Sequence, residues 1–199
     1  LQGRSQQLAS MQAENTRLRA LLNSTALLRN DVLVSEVIGV SPDPVRHQLV
    51  LDKGREAEVY LGQALIDAEG LMGQVVEVGA TTSRVLLITD PTHSVPVQVN
   101  RSGVRAVAEG VGSLDQLAIH HVAATTDIQV GDLLVTSGLG GRFPIGYPVA
   151  VVAEVVRNPG EAFARISATP AAALDRARHA LLVFGRPAEQ DKSIEVARE

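Results

Sequence analysis

Ala64-Leu65-Ile66-Asp67-Ala68-Glu69-Gly70-Leu71-Met72-Gly73-Gln74-Val75-Val76-Glu77-Val78 holds two short apolar runs separated by a glycine. The runs Ala64–Ala68 and Gly73–Val78 have strand length, and their branched side chains suit a pleated surface. Working outward, the same unit recurs. Arg84–Thr89, Ser94–Val99, Val104–Glu109 and Gln116–Val122 follow, with turn signals at roughly the 8–12-residue spacing of small barrels or sandwiches. The block 62–124 therefore reads as six strands, sufficient for one closed barrel. Six more lie outside it: Val32–Val40 and Gln48–Asp52 before, then Asp132–Thr136, Pro148–Arg157, Phe163–Pro170 and His179–Phe184 after. A strand at a sheet edge needs a partner, and closure removes edges. The expected fold is mainly β: an N-terminal coiled-coil helix followed by two small six-stranded β-barrels. The first barrel comprises 31–61 plus 125–185, and the second, 62–124, is inserted into a loop of it. The simpler alternative is two sequential domains divided near Gly110-Val111-Gly112. Ala171 to Arg178 is Ala-rich and reads as one or two helical turns, and 186–199 reads as a disordered tail.

The first 30 residues obey a different period. Residues 1–29 are rich in Leu, Ala, Gln, Glu and Arg and read as one helix, ended by Asn30-Asp31. Leu8, Met11, Leu18 and Leu22 fall at a and d positions of a heptad, with Asn15 at the intervening a position. Such a seam buries itself against another helix, and a buried Asn fixes register and favours a two-stranded pairing. The segment 1–30 is therefore expected to self-associate, into a dimer or higher oligomer. The start at Leu1-Gln2-Gly3, without an initiator Met, reads as that of a fragment whose membrane anchor lies upstream.

Composition narrows the chemistry. Hydrophobic residues make up 45% of 199, enough for a sizeable core, but aromatics are only 3%: three Phe, two Tyr and no Trp. The core must be aliphatic. There are no cysteines, which removes disulfides, thiolate catalysis and Cys-ligated metal. With 18 basic against 22 acidic residues, the net charge is −4. A generic phosphate-binding surface wants a basic stripe, and single-stranded nucleic acid wants stacking aromatics on a basic face. Neither pattern is here, so no nucleic-acid partner is expected.

His47, Asp90 and Ser137 occur in the chain order of a chymotrypsin-like triad, and Ser137 sits in Thr136-Ser137-Gly138-Leu139-Gly140-Gly141. A triad is defined by geometry, and the Gly-Asp-Ser-Gly-Gly context of a protease nucleophile is absent. The segment reads as a glycine turn, and no catalytic residue is assigned. His120 and His121 are neighbours on a strand and point to opposite faces, so no metal site is assigned. Lys53-Gly54-Arg55 is a charged turn, and no cofactor is expected. The loop Gly141-Arg142-Phe143-Pro144-Ile145-Gly146-Tyr147-Pro148 holds two of the five aromatics between two prolines. Arg142, Phe143, Ile145 and Tyr147 are candidates for a partner or self-assembly contact. Plugging of the barrel end by Phe143 or Tyr147 is equally open.

In this order the segments resemble the MreC family of bacterial rod-shape-determining proteins. The matching pieces are Glu14 to Leu22, then Leu51-Asp52-Lys53-Gly54, Gly70-Leu71-Met72-Gly73-Gln74-Val75 and Val85-Leu86-Leu87-Ile88-Thr89-Asp90. The most specific is the run from Gly131 to Gly146. The resemblance covers roughly 14–184. It implies the portion of a single-span inner-membrane protein that lies on the periplasmic face of that membrane, held there by an anchor outside this sequence. It implies a non-enzymatic scaffold of cell shape and lateral peptidoglycan synthesis that binds and activates the class B penicillin-binding transpeptidase of elongation. MreD, RodA and cytoskeletal MreB are the further implied partners. The barrels would be chymotrypsin-like without a working triad. The alternatives are a secreted chymotrypsin-like hydrolase and a generic periplasmic adaptor.

The double variant Leu18→Glu with Leu22→Glu places charges inside the heptad seam and should dissociate the coil, seen as a fall in mass by light scattering. Asn15→Leu should strengthen association while relaxing register, measured by sedimentation. An unchanged mass in the double variant would overturn the coil.

Overall fold

In the computed structural model, residues 31–185 together with Met11, Gln12 and Asn15 are described. Met11, Gln12 and Asn15 have helical backbone and are exposed. The other seam positions, Leu8, Leu18 and Leu22, and the tail 186–199 lie outside the described residues. Among the described residues, no helix is long and apolar enough to cross a membrane.

Among the described residues, twelve strands form in chain order: β1 (Val32–Val40), β2 (Gln48–Leu51), β3 (Ala64–Ile66), β4 (Leu71–Val78), β5 (Ser83–Leu87), β6 (Ser94–Val99), β7 (Arg105–Gly110), β8 (Leu117–His120), β9 (Leu133–Thr136), β10 (Pro148–Val156), β11 (Arg165–Pro170) and β12 (His179–Val183). They close into two antiparallel barrels, β1-β12-β3-β4-β5-β2 and β10-β11-β8-β7-β6-β9. The second barrel is inserted between β5 and β12 of the first.

The division of strands differs from the sequence expectation. The inserted barrel is β6 to β11, residues 94–170, not 62–124. β3, β4 and β5 belong to the first barrel, and β9, β10 and β11 to the second. Periodicity finds strands but is blind to which strand each one pairs with, and any six consecutive strands satisfy a closure argument. The pairing nevertheless follows one scheme. Counted from β6, the second barrel runs 1-2-3-6-5-4. The first barrel gives the same order when counting starts at β12. The two barrels are thus one topology, and in the first of them the opening strand has been moved to the end of the chain.

Local patterns explain the layers. β6 and β7 bury every second residue and leave the others exposed or half-buried, as a strand with one wet face does. β3 is buried throughout, and β12 at every position after His179. Such unbroken apolar runs mark strands covered on both faces. Bulges bend β1 between Val37 and Gly39, β4 between Val75 and Glu77, and β10 between Val152 and Glu154. A bulge adds twist and curvature, which a six-stranded wall needs in order to close. The segment 171–178 forms bends and turns where one or two helical turns were expected. Its backbone is committed elsewhere: Ala171 N–H donates to Val149 O, and Ala173 N–H donates to Asp67. Ala172 and Leu174 are buried in the joint.

A buried aspartate stands at each chain crossing between the barrels. Asp67 follows β3 and is 4% exposed. Its Oδ1 accepts from Glu69 and Gly70 N–H, and its Oδ2 accepts from Ala173 N–H, each at 2.8 Å. It thereby ties the first barrel to the returning chain. Asp90 follows β5 and is fully buried. Its Oδ1 accepts from the Thr92 N–H at 2.9 Å and the Thr92 hydroxyl at 2.6 Å, and its Oδ2 from His47 N–H at 2.9 Å. Burial alone would raise this carboxyl; the bonds from Thr92 and His47, with the charge of Arg46, outweigh it and hold the group below the usual carboxylate range. Gly110 closes β7 against the same turn, where a Cβ would be driven into the Asp90 carbonyl and the Thr89 carbonyl carbon.

Gly110→Ala should therefore destabilise the protein by about 3 kcal/mol, because backbone fills the space on both sides. Gly103→Ala, at φ +72 with nothing within 4 Å of its Cβ, should cost only about 1–2 kcal/mol of backbone strain. Urea midpoints compare the two. Equal losses would show that the inter-barrel turn yields freely.

Candidate partner-binding surface

The loop between β9 and β10 folds back on the end of β9. The Thr136 hydroxyl donates to Pro144 O and accepts from Tyr147 N–H, and Gly146 N–H donates to Thr136 O. Glycines at 138, 140, 141 and 146 all take positive φ, the conformation that only glycine adopts without strain. Of the four residues singled out in this loop, Phe143 and Tyr147 are buried, at 6% and 5% exposure. This corrects their assignment as surface contacts. Phe143 packs edge-on against His93, with ring centroids 6.1 Å apart at 89°. The Tyr147 hydroxyl donates to Asp67 O at 2.7 Å, across to the other barrel. In a chain with five aromatics, these two rings fill the joint, where they bury the most area. Arg142 and Ile145 stay on the surface, Ile145 with 76% exposure, and Leu139 of the same loop is exposed too.

Sequence reasoning missed a second surface. A groove of about 240 Å³ opens between the loop 40–49, Leu114 and the connecting segment 174–177. Leu49, Leu87 and Leu174 are buried beneath it, and Val40 and Leu114 stand exposed on its rim. Val45 and Val111 are exposed close by, and Gly112 approaches both Val45 and Pro91. One wall is stiffened by Pro42 and Pro44 and by the Asp43 carboxylate, which accepts from Val45 and Arg46 N–H. Arg46, His47, Asp43 and Asp175 give it a mixed polar edge. Rigid concavities with an apolar floor and polar rim suit protein or ligand docking. Val40, Pro42, Pro44 and Val45 were the only local signal in sequence, since the opposite wall comes from residues about 70 and 130 positions later. A larger hollow of about 570 Å³ lies on the second barrel alone, beside exposed Phe163, His120 and the Glu161–Arg165 ion pair.

The triad candidates are engaged in other work. His47 and Asp90 are neighbours, but Asp90 holds the backbone N–H of His47. The His47 ring nitrogens face Thr89 Oγ1 at 2.8 Å and Pro44 O at 3.1 Å. The Ser137 hydroxyl accepts from Leu139 N–H within its own turn. His120 lies 3.2 Å from Glu109, and its ring centroid is 6.5 Å from that of His121. Among the described residues, no group of three or more His, Asp or Glu is placed to hold a metal. Lys53 pairs with Asp52, as a charged turn should. Arg101 grips Asp127 and Asp132 together, and its hydrogen bonds hold both carboxyls below their usual range.

One contact path joins the two surfaces. The 138–147 loop touches His93 through Phe143, His93 N–H donates to Asp90 O, and Asp90 holds His47 on the groove wall.

Comparison with known proteins agrees with this architecture. A family model described as rod shape-determining protein MreC, barrel core, matches residues 37–184. The cell shape-determining protein MreC of Escherichia coli is 49% identical over 178 residues, covering 89% of this chain and 48% of that protein. The chain therefore spans about half the length of the curated relatives it matches. The crystal structure of MreC from Pseudomonas aeruginosa superposes with a TM-score of 0.76 at 56% identity, over 78% of this chain and all of that one. A structure described as a complex between penicillin-binding protein 2 and MreC from Helicobacter pylori shares the fold, with a TM-score of 0.60 at 16% identity, over 79% of this chain and all of that one. On the family match and the Escherichia coli identity, this chain belongs to the MreC family of rod shape-determining proteins.

Proposed function

We propose that this chain is a non-enzymatic scaffold of bacterial cell-shape determination, working on the periplasmic face of the inner membrane. Its N-terminal helix sets an oligomeric spacing, and its two-barrel head binds the class B penicillin-binding transpeptidase that builds the lateral wall. MreD, RodA and MreB complete the assembly. The observation that carries this reading is the preformed apolar groove spanning the two barrels. It rests on a rigid frame and is rimmed by exposed Val40 and Leu114. The name of the Helicobacter pylori complex, a penicillin-binding protein with an MreC, supports the partner class. Arg142 and Ile145 form a second contact, linked to the groove through His93 and Asp90. A partner that binds one conformation better shifts the population towards it, so activation needs no chemistry from the scaffold.

The test is cross-linking from a bacterial envelope with this chain as bait, followed by a binding titration with the recovered transpeptidase. Val40→Arg with Leu114→Arg should weaken binding at least about tenfold, roughly 1.4 kcal/mol, while the melting temperature stays within a degree or two. Ile145→Arg should weaken it less. Recovery of a different envelope protein would favour a generic adaptor. Stoichiometric labelling of Ser137 by a fluorophosphonate would favour a hydrolase.

A further inference from the structure

His93 is the most unusual polar residue among those described. It is 6% exposed, and neither ring nitrogen has a hydrogen-bond partner among the described residues. A buried polar group without a partner costs about 1–3 kcal/mol, so its placement calls for an explanation. Its position suggests one. His93 closes the turn that carries the chain out of the first barrel: its N–H donates to Asp90 O, and Gly110 N–H donates to its carbonyl. Its ring meets the Phe143 edge at 6.1 Å, and Phe143 is the buried anchor of the 138–147 loop. The imidazole thus sits between the inter-barrel turn and that loop.

We propose that His93 is an acid-sensitive latch: protonating its imidazole releases the 138–147 loop, Phe143 included, from the inter-barrel turn. The charged groups around it favour release. Arg142, on the loop itself, repels an imidazolium. Asp90 attracts it, but both Asp90 oxygens already accept bonds from Thr92 and His47, and Arg46 offsets its charge. Glu109, on β7 opposite Ser94, is held by His120. The 41–47 loop contributes Arg46, whose charge acts on Asp90, and His47, whose backbone N–H donates to Asp90 while its ring faces Thr89 Oγ1 and Pro44 O.

Burial pushes the His93 imidazole down to about 4, with Asp90 opposing and Arg142 adding to the effect. The sign follows. An opened loop exposes an imidazole with an ordinary value near 6.5. The open form therefore binds the extra proton between about pH 6.5 and 4, and closure weakens as pH falls through that window. At pH 5 the opening equilibrium should rise about 30-fold over its value above pH 7. The lowered carboxylates Asp52, Asp90, Asp127 and Asp132 lose their contribution only at lower pH, so the window belongs to His93.

Hydrogen exchange of the whole chain at pH 7.5 and 5.0, corrected for intrinsic rates, tests the latch. The expected result is an increase of about 30-fold in exchange at residues 138–147 and 88–93, with β1 and β12 unchanged. His93→Leu keeps an apolar contact for Phe143 and should abolish the acid response. Should that variant fail to fold, the imidazole titration of the native chain by NMR decides. A His93 midpoint below 6 supports the latch. A midpoint at or above 6.5, an equal acid response in His93→Leu, or a loss of protection spread evenly over both barrels would overturn it.

Discussion

The first barrel is open until β12 returns. β1 carries the register from Val32↔Val183 to Glu36↔His179, and β12 pairs on its other side with β3. The Ser35 hydroxyl reaches Ala180 O from 145 residues away in sequence. Between β5 and β12 the chain completes the whole second barrel. Both strand pairings of β12 are therefore non-local, and the loop entropy of that closure must be met by burial. The sequence of β12 matches this demand: Ala180, Leu181, Leu182 and Val183 are at most 2% exposed. A polar side chain there would be buried without a ready partner and would weaken the seam that joins β1 to β3 through β12.

This constraint also sets how the barrels sit together. An insertion leaves and returns through one neighbourhood, so the two crossings must be fixed side by side. Asp90 fixes the departure and Asp67 the return, each by taking three donors from backbone or hydroxyl groups. Buried carboxylates are tolerable only when satisfied in this way. Tyr147 adds a bond from the second barrel to the Asp67 turn, and Gly110 and Gly70 let backbone approach backbone at the joint. Buried apolar residues of both barrels consequently form one continuous cluster. A surface groove lined by residues of both is then held in a fixed shape.

Within the candidate surface, the legible part and the hidden part divide along sequence distance. The Arg142–Tyr147 loop drew notice because rare aromatics and prolines gather in a single stretch. What each ring does there depends on a distant neighbour: His93 for Phe143 and Asp67 for Tyr147. Those partners turn both aromatics inward and leave Arg142 and Ile145 outside. The groove was hidden for the same reason in reverse. Its lining residues are unremarkable one by one, and only the inserted barrel, with Leu114, and the returning chain, with Leu174, bring them to the groove that Val40 lines.

Sequence by itself determined the twelve strands, most of their limits within a residue or two, the aliphatic core and the family. Period-two burial, glycine turns and motif order are local, and local patterns are written in the chain. Tertiary structure decided which strands share a barrel, why Ala171–Arg178 stays unwound, and which side chains of the candidate surface stay exposed. The physical reason is common to all three. Strand pairing is a backbone interaction that any apolar run can enter, so its partner is chosen by global closure and shared burial, not by the residues of either strand alone.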